Sequence, residues 1–287
     1  MKRVMLATDF SERSDRALRR AALLARAHGA VLDLVHVVDD DRPRRIVEHE
    51  AADARMLLRE LSQSLQTEDG IVCETAILFG DPFDGIVKAT RERPPDMLVI
   101  GPHRRQILRD AFVGTTAERT IRFVDCPVLM VNGPPVGAYR HVMLTSDLTE
   151  SARSAMIRYF ALTLNRQARH SILHVFDVLP LHMGMAGMLP KEDKDFYVAE
   201  QASEARRNLS KFVSGLDGPR VELVVRYLAT NTATEIRKAA EEIRANLIVL
   251  STQSKGALER MVLGSVTQQV LQYAAVDVLV IPTLREA

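Results

Sequence analysis

Only two cysteines occur in the 287 residues, and neither sits in a metal-ligand spacing. Cys73 lies in an apolar strand pattern and Cys126 just before Pro127, so both read as buried, reduced thiols of a cytoplasmic protein. No apolar run reaches about 18 residues, and Met1-Lys2-Arg3-Val4 leads straight into a strand pattern, so neither a transmembrane span nor a secretory signal is expected. A formal net charge of +1 gives no overall attraction to nucleic acid or to an anionic membrane. The signatures of several chemistries are missing too: there is no Gly-Lys-[Ser/Thr], no Gly-x-Ser-x-Gly elbow, no Cys-x-x-Cys and no His-Glu-x-x-His. His103 has no second histidine or carboxylate at metal-ligand spacing, and no metal site is expected.

What the chain does have is a repeat. Val4-Met5-Leu6-Ala7-Thr8-Asp9-Phe10-Ser11-Glu12 returns as Val142-Met143-Leu144-Thr145-Ser146-Asp147-Leu148-Thr149-Glu150, and His36-Val37 returns as His174-Val175, both 138 residues on. Phe112-Val113-Gly114-Thr115 returns as Val262-Leu263-Gly264-Ser265, 150 residues on, so the second copy carries twelve extra residues after His174. A period this long means two copies of a domain rather than a solenoid, whose units run to roughly 20–50 residues. The expected division is a first domain over 1–132, a short semi-rigid linker over 133–139 rich in proline and glycine, and a second domain over 140–287.

Within each copy, short apolar β-branched runs alternate with helical patterns. Strands are expected at 2–8, 31–38, 71–78, 97–100 and 127–131, with a helix between each pair; Ser11 and Gly29 read as the caps of the first helix. The second copy reads as strands at 142–146, 171–178, 221–228, 247–250 and 278–281, with helices over 150–168, 191–214, 232–244 and 265–275. The fold class is α/β: two tandem Rossmann-like domains of flavodoxin-like order, each a five-stranded parallel sheet with helices on both faces. The apolar last strands need covering if they lie at sheet edges, and the fusion supplies that as an intramolecular pseudo-dimer; a homodimer of whole chains stays open.

In such a sheet ligands bind beyond the carboxyl ends of the strands, where the strand order reverses. Thr8 and Asp9 end the first strand and Ile100 and Gly101 the fourth. Past them come His103, Arg104, Arg105 and Arg109, then Gly114, Thr115 and Thr116 at a helix start, where bare amides and the dipole suit a phosphate. The purely structural alternative is a capping box, which both Thr115-x-x-Glu118 and Ser265-x-x-Gln268 fit. Asp9 and Asp147 could equally be turn residues, His36 and His174 packing residues, and Arg42-Pro43-Arg44-Arg45 a solvated helix face.

These features together resemble the universal stress protein family over nearly the whole chain, as a tandem pair: the strand-Asp-x-[Ser/Thr] opening, the His-Val end of the second strand, and Cys126-Pro127-Val128-Leu129-Met130-Val131 after the closing helix. Family members that bind ATP show Gly-x-x-Gly, nine residues, then Gly-[Ser/Thr]. The first copy has Gly101-Pro102-His103-Arg104, nine residues, then Gly114-Thr115, with Arg104 in place of the second glycine. The second has Ser251-Thr252-Gln253-Ser254, nine residues, then Gly264-Ser265, and both glycines of its first pair are gone. The resemblance implies that Asp9 and Val37 frame an adenosine, and that Gly101 and Gly114-Thr115 take the ribose and phosphates. It implies a cytoplasmic stress-response or regulatory protein binding ATP or AMP, with or without Mg, in the first domain. The matching second site, Asp147, Val175, Ser251, Ser254, Gly264 and Ser265, is expected to be weak or empty.

Two other readings stay open. One is a slow ATPase, for which Asp9 is the sole obvious acid and no Walker B partner is evident. The other is an assembly module, or one binding an apolar ligand beneath the Met- and Gly-rich insertion at 179–190, whose thioether side chains repack easily.

Overall fold

The computed structural model describes residues 1–102, 115–178, 191–252 and 263–282, with the side chains of Lys191 and Asp193 outside that description. In chain order the first half runs β1 (Arg3–Ala7), α1 (Glu12–His28), β2 (Val31–Val38), α2 (Arg44–Asp69), β3 (Cys73–Phe79), α3 (Pro82–Glu92), β4 (Met97–Ile100), α4 (Thr116–Phe123) and β5 (Val128–Met130). The second runs β6 (His141–Ser146), α5 (Glu150–Leu162), β7 (Arg169–Phe176), α6 (Lys191–Val213), β8 (Val221–Tyr227), α7 (Thr232–Glu242), β9 (Leu247–Ser251), α8 (Ser265–Tyr273) and β10 (Asp277–Ile281).

The elements begin and end for local reasons. The Ser11 hydroxyl accepts from the Ser14 amide to start α1, and Gly29, at φ 60°, ends it in the left-handed conformation. Asp81 accepts from the Phe83 and Asp84 amides to start α3, whose first residue is Pro82. The helix expected over 150–168 stops at Leu162, because Thr163 turns left-handed at φ 50°. The following Asn165 amide donates to the Tyr139 carbonyl at 2.7 Å, so a tertiary contact holds the chain out of the helix.

All ten strands join one sheet, ordered β3-β2-β1-β4-β5-β10-β9-β6-β7-β8. Within each half the pairing is parallel. Each half is therefore ordered 3-2-1-4-5, the Rossmann order, and not the flavodoxin-like 2-1-3-4-5 that was expected. The chain leaves β1 for one edge through β2 and β3, then crosses back over β1 to β4. The order reverses between β1 and β4, and again between β6 and β9.

The halves meet where β5 and β10 pair antiparallel, with Leu129 opposite its own repeat counterpart Leu279. Helices cover both faces. Side chains of α1, α2, α5 and α6 pack on Val4, Leu6, Leu144 and Leu279 on one side. Those of α3, α4, α7 and α8 pack on Met5, Leu98, Met143 and Val278 on the other. Each core runs through both halves.

A buried polar knot closes the junction. Asp277, 1% exposed, accepts from Tyr139 Oη at 2.6 Å, Arg20 Nε at 3.0 Å and the Gly133 amide at 2.8 Å. Arg20 also donates to the Gly137 carbonyl and stacks over the Tyr139 ring. The segment after β5 is thus tied to α1 on one side and β10 on the other. At the repeat-related position Arg158 donates to the Asp125 and Pro282 carbonyls, and Pro127 stands where Asp277 stands.

Candidate functional site

At the carboxyl end of β1 the chain turns sharply into α1, and the turn uses its own side chains. Phe10 is left-handed at φ 56°, as is Leu148 at φ 63° in the second half. Thr8 Oγ1 accepts from the Phe10 amide and Ser146 Oγ from the Leu148 amide, both at 3.0 Å. Asp9 Oδ1 accepts from the Ser11 amide at 3.0 Å and the hydroxyls of Ser11 and Ser14 at 2.6 and 2.5 Å. Burial would raise the Asp9 carboxyl, but those hydroxyls, the Ser11 amide and the Arg13 charge hold it below the usual carboxylate range. Its second oxygen, Oδ2, faces outward, 3.9 Å from Arg13 Nη2. Asp9 is therefore both a turn residue and an anionic acceptor at the crevice.

His36 ties β2 to β1. Its Nδ1 lies 2.8 Å from the Thr8 carbonyl, and His174 repeats this at 2.9 Å from the Ser146 carbonyl. A carbonyl only accepts, so Nδ1 carries a proton in both contacts. Both histidines hold strand ends together.

Between the ends of β1, β2 and β4 and the first turn of α4 opens a cavity of about 320 Å³, within the range of small-ligand sites. Thr8, Asp9, Val37, Ile100, Gly101 and Thr116 line it, bringing together six residues expected from the sequence. Arg13, Ser14, Ile86 and Thr120 also line it and were not singled out. Thr120 alone carried a spacing signal, one helical turn beyond Thr116 on α4.

Two expected residues take other duties. Thr115 is buried, and its hydroxyl accepts from the Glu118 amide at 3.2 Å as the N-cap of α4; its neighbour Thr116 faces the crevice. Gly101 lines the cavity and also has a packing reason, since a Cβ there would stand 3.1 Å from the Arg13 carbonyl oxygen. His103, Arg104, Gly114, Arg105 and Arg109 lie outside the described residues, as do Ser254 and the 179–190 insertion.

The second half builds the same crevice, of about 370 Å³, lined by Ser146, Asp147, Val175, Ser251, Gly264 and Ser265. Asp147 Oδ1 accepts from the Thr149 amide and hydroxyl at 3.1 and 2.6 Å. Ala152 replaces Ser14, so one hydroxyl is lost. The capping box read at Ser265-x-x-Gln268 does not form: α8 starts from Gly264 with no side-chain cap, and Gln268 Nε2 instead reaches Glu118 Oε1, 3.5 Å away in the other half. Among the described residues no group of three or more His, Cys, Asp or Glu is placed to hold a metal ion. No described helix is long and apolar enough to cross a membrane.

Comparison with known proteins agrees with this architecture. The model of the universal stress protein family matches residues 1–132 and again 138–282. A universal stress protein of Mycolicibacterium smegmatis is 22% identical over 294 residues, 97% of this chain and 96% of its own. One from Thermus aquaticus is 29% identical over 135 residues, 45% of this chain and 98% of its own. Among solved structures, a universal stress protein of Archaeoglobus fulgidus superposes with a TM-score of 0.74 at 19% identity, covering 99% of this chain and 97% of that one, a likeness of fold.

Proposed function

Because the chain belongs to the universal stress protein family, we propose that it is a regulatory nucleotide-binding protein that takes ATP or AMP in the crevice of its first domain, 1–132. The second domain, 140–287 beyond the linker at 133–139, binds it weakly or not at all. The observation that carries this reading is the cavity of about 320 Å³ at the point where the strand order reverses between β1 and β4.

The residues present fit such a ligand. Val37, Ile86 and Ile100 offer apolar walls for a base. The outward oxygen of Asp9 accepts from a base amino group or a ribose hydroxyl. Arg13, the Thr116 hydroxyl and the start of α4 supply positive potential and donors for phosphates. Among the described residues Asp9 is the single lining acid, and, already held by three local donors, it is poorly equipped to orient a nucleophile, which favours binding over rapid phosphoryl transfer. Binding would then act by mass action, stabilising the folded form and altering the surface around the crevice, in a cytoplasmic setting.

One observation favours a second reading, in which the second crevice also fills: α8 begins without a side-chain cap, leaving its first-turn amides to another acceptor. Titration calorimetry with ATP separates the two. One site per chain, weakened by Asp9→Ala and not by Asp147→Ala, is expected. Two sites per chain support the second reading. No heat, together with no thermal shift at millimolar ATP, ends both.

A further inference from the structure

Thr120, on α4, lines the first cavity, has no exposed surface, and its Oγ1 has no hydrogen-bond partner among the described residues. A helical threonine ordinarily satisfies its hydroxyl on the carbonyl of the preceding turn. This one does not, and a buried hydroxyl left unpaired costs the fold stability.

The repeat supplies the control. The position 150 residues on is Val270, also fully buried, on the matching helix α8. Valine has the shape of threonine with a methyl group in place of the hydroxyl, so this packing environment accepts the apolar version. In the second half the hydroxyl sits one turn nearer the helix start, at Thr267, which lines that cavity where the first half has Ala117.

We propose that the Thr120 hydroxyl is a ligand-recognition group of the first crevice, hydrogen-bonding a polar atom on the innermost edge of the bound nucleotide. The proposal rests on the nucleotide reading above. It makes Thr120 one of the residues by which the two crevices differ: the first rewards a ligand with a donor or acceptor at its inner edge, and the second has Val270 at the matching helix position, not among the described residues that line its cavity.

The test uses the full chain and calorimetric titration of ATP into wild type, Thr120→Val and Thr120→Ser. The valine variant should bind about tenfold more weakly, because the ligand atom it abandons is buried unpaired. The serine variant, which keeps the hydroxyl, should bind within about twofold of wild type. Unliganded Thr120→Val should melt no lower than wild type, which separates recognition from a structural role. Repeating the series with 2′-deoxy-ATP and with purine riboside triphosphate identifies the ligand atom, since the analogue lacking it should lose nothing further to the valine substitution. Equal ATP affinity for wild type and Thr120→Val overturns the proposal and leaves the nucleotide reading intact. Absence of binding by wild type removes both.

Discussion

Asp277→Ala should be the most damaging substitution outside the strands' apolar faces. The carboxylate is 1% exposed and receives Tyr139 Oη, Arg20 Nε and the Gly133 amide. Burial pushes it up, and those three donors work against that push. Taking it away strands the Arg20 guanidinium, whose side chain is 6% exposed, without its counter-charge. Breaking a buried pair from one side costs about 3–5 kcal/mol, and the orphaned hydroxyl and amide keep the value toward the upper end. For a chain of this size that is a fall of roughly 10 °C in Tm. Urea unfolding followed by circular dichroism measures it. Arg158→Ala is the internal comparison, since Arg158 contacts carbonyls where Arg20 contacts a carboxylate, and it should lose less. Replacing the knot together, as Arg20→Met, Tyr139→Phe and Asp277→Leu, should recover much of the loss. A cost for Asp277→Ala below about 1 kcal/mol would refute the reasoning, because it would mean the junction is wet and the charges already solvated.

Stability should also fall in mild acid. Burial holds His28, His141 and His170 below their ordinary value of 6.5. The unfolded chain therefore takes up protons from about pH 6.5 downward before the folded chain does, and stability is lost as pH falls through that range. The lowered carboxylates Asp9, Asp96 and Glu235 contribute only nearer their ordinary values of 3.8 and 4.5. A urea midpoint at pH 5.5 equal to or above that at pH 7.5 would contradict this. Gly85→Ala should damage the first crevice, because its Cβ would stand 2.6 Å from Val37 Cγ1. Such overpacking costs about 1–3 kcal/mol, and displacing Val37 should weaken ATP binding in the same variant; unchanged affinity would show that Val37 does not form a wall of the ligand site.

The features legible in the sequence were those set by neighbouring residues. Ser11 and Gly29 bracket α1 through contacts within one turn, Met97–Ile100 announces itself as an uninterrupted apolar run, and Val31–Val38 as one broken only by Asp33 and His36. The strand-end residues Thr8, Asp9, Val37, Ile100 and Gly101 converge because a parallel sheet places all carboxyl ends along one edge. Strand order was not legible, since it depends on which way each crossover turns and leaves no mark on any one segment. The end of α5 was hidden for a similar reason: Asn165 is held by Tyr139, across the fold. Thr115 and Thr116 are adjacent hydroxyls, and only the helix start decides which caps and which faces the cavity. Arg13 and Thr120 escaped notice because their types are common and their positions matter only once α1 and α4 are packed beside the crevice.

The antiparallel ladder at Leu129 and Leu279 has a consequence for descent as well as for shape. A protein that assembles from two identical chains must carry every substitution twice, so whatever improves one pocket is imposed on the other. Joining both partners in a single polypeptide lifts that constraint while fixing their proximity at any dilution. Each crevice is then free to drift toward its own task, and the exchange of threonine for valine between positions 120 and 270 is a divergence that a pair of identical chains could not keep.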